Sequence, residues 1–208
     1  AIGVINPDDR FMQTLDGLKS IREKIPNGYI IFCDSSIQRL SEEWVTILEE
    51  NCDKFIDFYG LDPFQIFTNN GMKSHGELSQ FKYALYWYIN NIGLDGISRI
   101  FKIGGRGKLT DDFELSLYEN TLGKYVFKGP FDSWMGQGYR LYETRIYSFC
   151  VTLIDDYFSK IDNVINSLRG GYQVEHAYYD HLDKNKVLSF DILGLEYMVS
   201  STGQTAFD

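Results

Sequence analysis

The run Gly28-Tyr-Ile-Ile-Phe-Cys33 constrains the fold more than any other segment. It is short, continuous and apolar, and it ends in Asp34-Ser35-Ser36. Such a run reads as a strand buried on both faces, which requires helices packed against it. An amphipathic helix precedes it, with Phe11, Met12, Leu15, Leu18, Ile21 and Ile25 at three- and four-residue spacings. Pro26, Asn27 and Gly28 end that helix. Ser41 can cap a second helix reaching Glu49, and Lys54–Tyr59 reads as the next strand. A third helix is expected from Gly76 to about Ile92, followed by a strand from Ile97 to Ile103. This β-α-β order predicts an α/β fold with a mostly parallel mixed sheet flanked by helices.

The second half of the chain is less regular. Lys124–Phe127 and Tyr139–Val151 read as extended, and Ile154–Leu168 as a helix with an apolar stripe, stopped by Gly170-Gly171. Val174–Leu182 reads as a further helix and Val187–Val199 as a final strand region. The polar tail Ser200–Asp208 is expected to be mobile. There is no internal repeat, and none of the four prolines lies in a linker-like stretch, so one domain over residues 1–208 is expected.

Composition narrows the function classes. With 208 residues, 44% of them hydrophobic, the chain can bury a core without metal or disulfide staples. The net charge of −9 argues against a nucleic-acid partner, because phosphate neutralisation needs a basic face. No apolar run approaches the ~20 residues of a membrane span. Cys33, Cys52 and Cys150 form no CxxC pair, so a thiolate zinc site is not expected. Reduced cysteines and the lack of a signal-peptide pattern at Ala1–Ile5 fit a cytoplasmic location.

Five segments can carry chemistry. Phe101-Lys-Ile-Gly-Gly-Arg-Gly107 places Lys102 and Arg106 beside a glycine turn. Gly104 and its neighbours would let backbone N–H groups approach a phosphate, or the segment is a tight turn with solvated charges. Asn69–Glu77 leads into a helix, where Lys73 suits a diphosphate and Glu77 either accepts hydrogen bonds from a sugar or caps the helix. Arg145, in Tyr142-Glu-Thr-Arg145, pairs with a carboxylate or binds an anion. Glu175 is a candidate general base with His176 beside it; the alternative is a surface Glu and a half-buried His. Asp34 stands just past an apolar strand, where it can hold a ribose, a base or a metal, or cap its own turn. Asp111-Asp112 looks like a helix start and Asp155-Asp156 like a solvated helix face. His176 and His181 do not share a helix face, so no His–His metal site is expected.

Taken in order, these segments resemble a group of bacterial and viral glycosyltransferases with the GT-A, nucleotide-diphospho-sugar transferase fold. The resemblance rests on Arg10–Arg22, Pro26–Ser36, Lys73-Ser-His-Gly-Glu77, Phe101-Lys-Ile-Gly-Gly-Arg106, Glu143-Thr-Arg145, Glu175-His176 and Gly194–Gly203. It implies a nucleotide-sugar donor and a glycan or other hydroxyl acceptor. Asp34 and Ser35 would meet the nucleoside. Lys73, Glu77, Lys102, Gly104, Arg106 and Arg145 would line the diphosphate and sugar. Glu175 and His176 would be catalytic. Many such enzymes hold Mn²⁺ or Mg²⁺ with an Asp-x-Asp after the corresponding strand; none follows Ile103 here, so no metal ligands are assigned. A non-catalytic nucleotide-sugar or glycan-binding module of the same fold is the alternative.

Overall fold

The computed structural model describes residues 6–36, 38–61, 73–198 and 204–208. The chain divides into two compact units. The first comprises Ala1–Gly71, Gly104–Ser116 and Ile192–Asp208, and the second Met72–Ile103 and Leu117–Asp191.

In the first unit, helix α1 (Pro7–Lys24) starts earlier than its apolar spacing indicated. Asn6 caps it by accepting from the Asp8 N–H, and Pro7 takes a first-turn position where no N–H is needed. Asp8 and Asp9 sit at its positive end and Arg22 and Lys24 at its negative end. Leu15 and Leu18 are buried with Ile30, Leu48 and Cys52. Strand β1 (Ile31–Asp34) pairs in parallel with β2 (Lys54–Asp57), bringing Asp34 opposite Asp57. All four residues of β1 are half-buried, not covered on both faces, and among the described residues its one sheet partner is β2. Helix α2 (Glu42–Asn51) is capped by Ser41, whose Oγ accepts from the Trp44 N–H at 3.2 Å.

The glycine turn also belongs to the first unit. The Gly107 N–H donates to the Gly104 carbonyl at 2.8 Å, and β4 (Lys108–Leu109) follows. Gly17 of α1 lies so close that a Cβ there would meet the Gly107 carbonyl oxygen at 2.6 Å. Strand β4 pairs with β8 (Leu195–Met198), and β8 with β9 (Thr205–Phe207), both antiparallel. The tail expected to be mobile thus contains a strand, and Asp208 Oδ1 accepts from the Leu195 N–H at 2.8 Å. Ser200–Gly203 lie outside the described residues.

The second unit is built on a four-stranded sheet. Its order is β3 (Arg99–Ile103), β6 (Arg140–Cys150), β5 (Tyr125–Asp132), β7 (Val187–Phe190). Strand β6 runs antiparallel to both neighbours, and β7 runs parallel to β5. The expected mostly parallel sheet is therefore replaced by mixed sheets flanked by helices, within an α/β fold. The reason is local: a short loop joins β5 to β6, and a short connection permits only antiparallel pairing. Helices α3 (Lys73–Asn91), α4 (Ile154–Arg169) and α5 (Val174–His181) pack around this sheet's aromatic core. Phe149 stacks on Tyr157 at 4.3 Å and Phe127 on Tyr147 at 4.8 Å between ring centroids.

The run Val187–Val199 is not one strand. Gly194, at φ 72°, breaks it, and the halves join different sheets. Among the described residues no helix is long and apolar enough to cross a membrane.

Candidate functional site

The residues singled out in sequence fall into both units. Asp34, Ser35, Gly104 and Arg106 belong to the first, and Lys73, Glu77, Lys102, Arg145, Glu175 and His176 to the second.

In the first unit, Asp34 closes its own turn. Its carboxylate accepts from the Ser36 N–H at 3.0 Å and from the Ser36 hydroxyl at 2.9 Å. Burial pushes its pKa up, the two bonds from Ser36 oppose that, and the Asp57 charge adds to the rise. Asp57 is itself bound by the Tyr59 N–H at 2.7 Å. Asp111 does not start a helix; it forms an ion pair with Lys24 at 2.7 Å.

In the second unit the structure joins Lys102 and Glu77. Lys102, on β3, is only 7% exposed. Its ammonium pairs with the Glu77 carboxylate on α3, donates to the Thr144 carbonyl at 3.0 Å and lies 5.9 Å from the centre of the Tyr147 ring. A buried ammonium requires such a set of partners. Glu77 is thus neither a helix cap nor an isolated acceptor: it carries the counter-charge of Lys102. Helix α3 is described from Lys73, so the chain is already helical three residues before the expected start, and Asn69–Met72 lie outside the described residues. Lys73 is exposed and has no ion pair or hydrogen bond among the described residues.

Arg145 pairs with Glu143 at 2.7 Å, and Glu143 also accepts from the Thr144 and Arg145 N–H groups at 3.0 Å. This favours the structural reading of that pair. Asp156 is likewise not simply solvated. It accepts from the Tyr125 hydroxyl at 2.8 Å and pairs with Lys186 at 2.9 Å. Burial raises its pKa, but these two partners outweigh burial and hold it below the ordinary carboxylate value.

Glu175 and His176 occupy the first turn of α5 and differ sharply. His176 is fully buried, not half-buried. Its Nε2 lies 2.6 Å from the Ser133 hydroxyl, its ring meets Trp134 edge-on at 5.4 Å, and its Nδ1 has no hydrogen-bond partner among the described residues. Glu175 is half-buried and makes no ion pair or hydrogen bond among the described residues. Ser133 and Trp134 carry no motif, and sequence reasoning passed over them; the one available signal was their place in a loop rich in glycine and aromatics.

Among the described residues no group of three or more His, Cys, Asp or Glu side chains could hold a metal ion. Neither models of known protein families, nor curated proteins, nor solved structures match this chain.

Proposed function

We propose that this chain is a glycosyltransferase using a nucleotide-sugar donor, with Glu175 as the general base. The observation that carries this reading is the carboxylate of Glu175. It is half-buried at the start of a helix and is not engaged by any partner among the described residues. A carboxylate left without a partner and open to solvent is available to take a proton from a bound acceptor hydroxyl. His176, fastened through Ser133, acts as a positioning residue that fixes the first turn of α5 and so the place of Glu175.

The step is a displacement. Glu175 takes the proton of an acceptor hydroxyl, and the acceptor oxygen bonds to the anomeric carbon. The bond from that carbon to the diphosphate oxygen breaks, and the electron pair leaves with the nucleoside diphosphate. That leaving group needs positive partners. Lys73 supports this role as an exposed cation with no counter-charge among the described residues, open to an anionic leaving group. Lys102 contributes less charge than its residue type suggests, since Glu77 already neutralises it. The contacts expected at Asp34, Ser35, Gly104 and Arg106 belong to the first unit.

The same Lys102–Glu77 pair favours a second reading, a binding module without turnover. One experiment separates the two: melting the protein with UDP-, GDP-, CMP- and dTDP-sugars, each with and without Mn²⁺, alongside assays of donor turnover. A donor at about 100 times its dissociation constant stabilises the fold by roughly 2.7 kcal/mol. For an enzyme, Glu175→Gln keeps that shift and loses about 100- to 10,000-fold in turnover. A shift without turnover in the wild type selects the binding module. No shift with any donor removes the transferase reading and the nucleotide-sugar form of the binding module.

A further inference from the structure

The second unit exposes large apolar side chains, three of them aromatic, where β5 turns into β6. Phe131, Trp134, Met135 and Tyr139 all project from this hairpin, and Trp134 is 68% exposed. Burying such side chains is favourable, so several of them left in water along one hairpin mark a binding surface.

The hairpin is braced, not loose. The Ser133 N–H donates to the Tyr139 carbonyl at 2.9 Å, and the Met135 N–H donates to the Ser133 hydroxyl at 2.9 Å. That hydroxyl is fastened to the buried His176 at 2.6 Å, and His176 also holds the Trp134 indole edge-on. At the base, Arg140 donates to the Pro130 carbonyl at 2.9 Å. Gly136 and Gly138 take positive φ values of 128° and 88°, which a residue with a Cβ rarely adopts. A surface fixed in advance loses little freedom on binding.

The chemistry of this surface selects its ligand. The faces of Trp134 and Tyr139 carry negative π density, which suits the polarised C–H groups on one face of a pyranose ring. The rim supplies both hydrogen-bonding senses a sugar hydroxyl needs. Asp132 accepts with a side chain 96% exposed, and the Arg140 guanidinium lies 3.5 Å from it. A net charge of −9 disfavours an anionic lipid surface. We infer that the Phe131–Arg140 hairpin is a saccharide-binding platform that holds the acceptor glycan. The acceptor role rests on the glycosyltransferase reading: the residue that grips Trp134 is His176, and the base Glu175 precedes it on the same helix.

The test is binding of the full chain to a glycan array spanning hexose, hexosamine, deoxyhexose and uronic-acid termini. The best soluble binder is then titrated by tryptophan fluorescence without any nucleotide. The expected result is saturable binding to one glycan class that weakens at least tenfold in Trp134→Ala and in Tyr139→Ala. Both variants should keep the wild-type melting point, and Leu122→Ala, another exposed apolar side chain, should bind normally. No binding across the array, equal binding by Trp134→Ala, or Trp134-dependent association with phosphatidylcholine vesicles in place of glycans would overturn the platform. Donor stabilisation without glycan binding removes the platform and leaves the proposed function. Glycan binding without any donor response keeps the platform and removes the acceptor role.

Discussion

The buried ammonium of Lys102 is neutralised by the half-exposed carboxylate of Glu77, which reaches it from the first turns of α3. The two partners are unequal. Glu77 can return to water if the pair is broken, but Lys102 cannot. Glu77→Gln should therefore destabilise the second unit by about 1–3 kcal/mol, below the range for a fully buried pair because Glu77 is half solvated. Lys102→Met removes the charge along with its need for a partner and should cost less, within about 1 kcal/mol. Urea unfolding midpoints of the two variants would rank them, and the reverse order would refute this account.

His75 should make stability depend on pH near neutrality. Its Nε2 accepts from the Arg169 Nε–H at 3.2 Å, and its Nδ1 lies 3.4 Å from the Ser79 hydroxyl. Burial first, and the Arg169 charge second, lower its pKa below the ordinary 6.5. The folded protein thus holds His75 neutral where the unfolded chain would already take up a proton. Its contribution is fully present above pH 6.5. It is lost as pH falls below that value, until the ring protonates within the fold. Melting points compared from pH 8 to pH 5 should fall more steeply in the wild type than in His75→Gln.

Three tyrosines close a ring of hydroxyls in the aromatic core. Tyr147 lies 2.8 Å from Tyr157 and 2.6 Å from Tyr178, and Tyr157 lies 2.8 Å from Tyr178. Three donors serve three bonds, so each hydroxyl gives once and receives once. Any single Tyr→Phe change leaves a buried O–H without an acceptor and should cost about 1–3 kcal/mol. The triple variant leaves no stranded donor, so its loss should be smaller than the sum of the single losses. Additive losses would show that the ring is not cooperative.

Gly194→Ala should be among the most damaging small substitutions in the first unit. Its φ is +72°, and a Cβ would lie 2.2 Å from the Phe113 backbone nitrogen, so backbone itself would have to move. Gly123→Ala is the control: its φ is +65° with nothing within 4 Å, so it carries only the left-handed strain of about 1 kcal/mol. The difference between the two melting points reads the cost of the close approach.

Features set by neighbouring residues were legible in the chain. The helices α1, α2 and α4 follow from apolar spacing, the Ser41 cap and the Gly170-Gly171 stop. Features set by distant residues were not. Nothing near Lys102 shows that its charge is met by Glu77, or near Asp156 that Tyr125 and Lys186 bind it. The break at Gly194 comes from its approach to Phe113, and the glycine at position 17 of α1 comes from the approach of the Gly107 carbonyl, far away in sequence. At the candidate site, Glu175 and His176 stood out as a pair of chemically capable residues. Their division into an unengaged carboxylate and a clamped imidazole required Ser133, far away in sequence.

The way the two units share the chain has a consequence during synthesis. Strand β7 completes the four-stranded sheet only when residues 187–190 have been made, and β8 reaches β4 only with residues 195–198. A nascent chain halted near residue 150 has neither closing strand, although it already carries β5, β6 and all of the exposed hairpin aromatics. Both units thus wait for strands made at the very end of synthesis, β7 for the second and β8 and β9 for the first. Nascent chains released short of residue 187 should therefore be captured by chaperones, and those that include β8 and β9 should escape them.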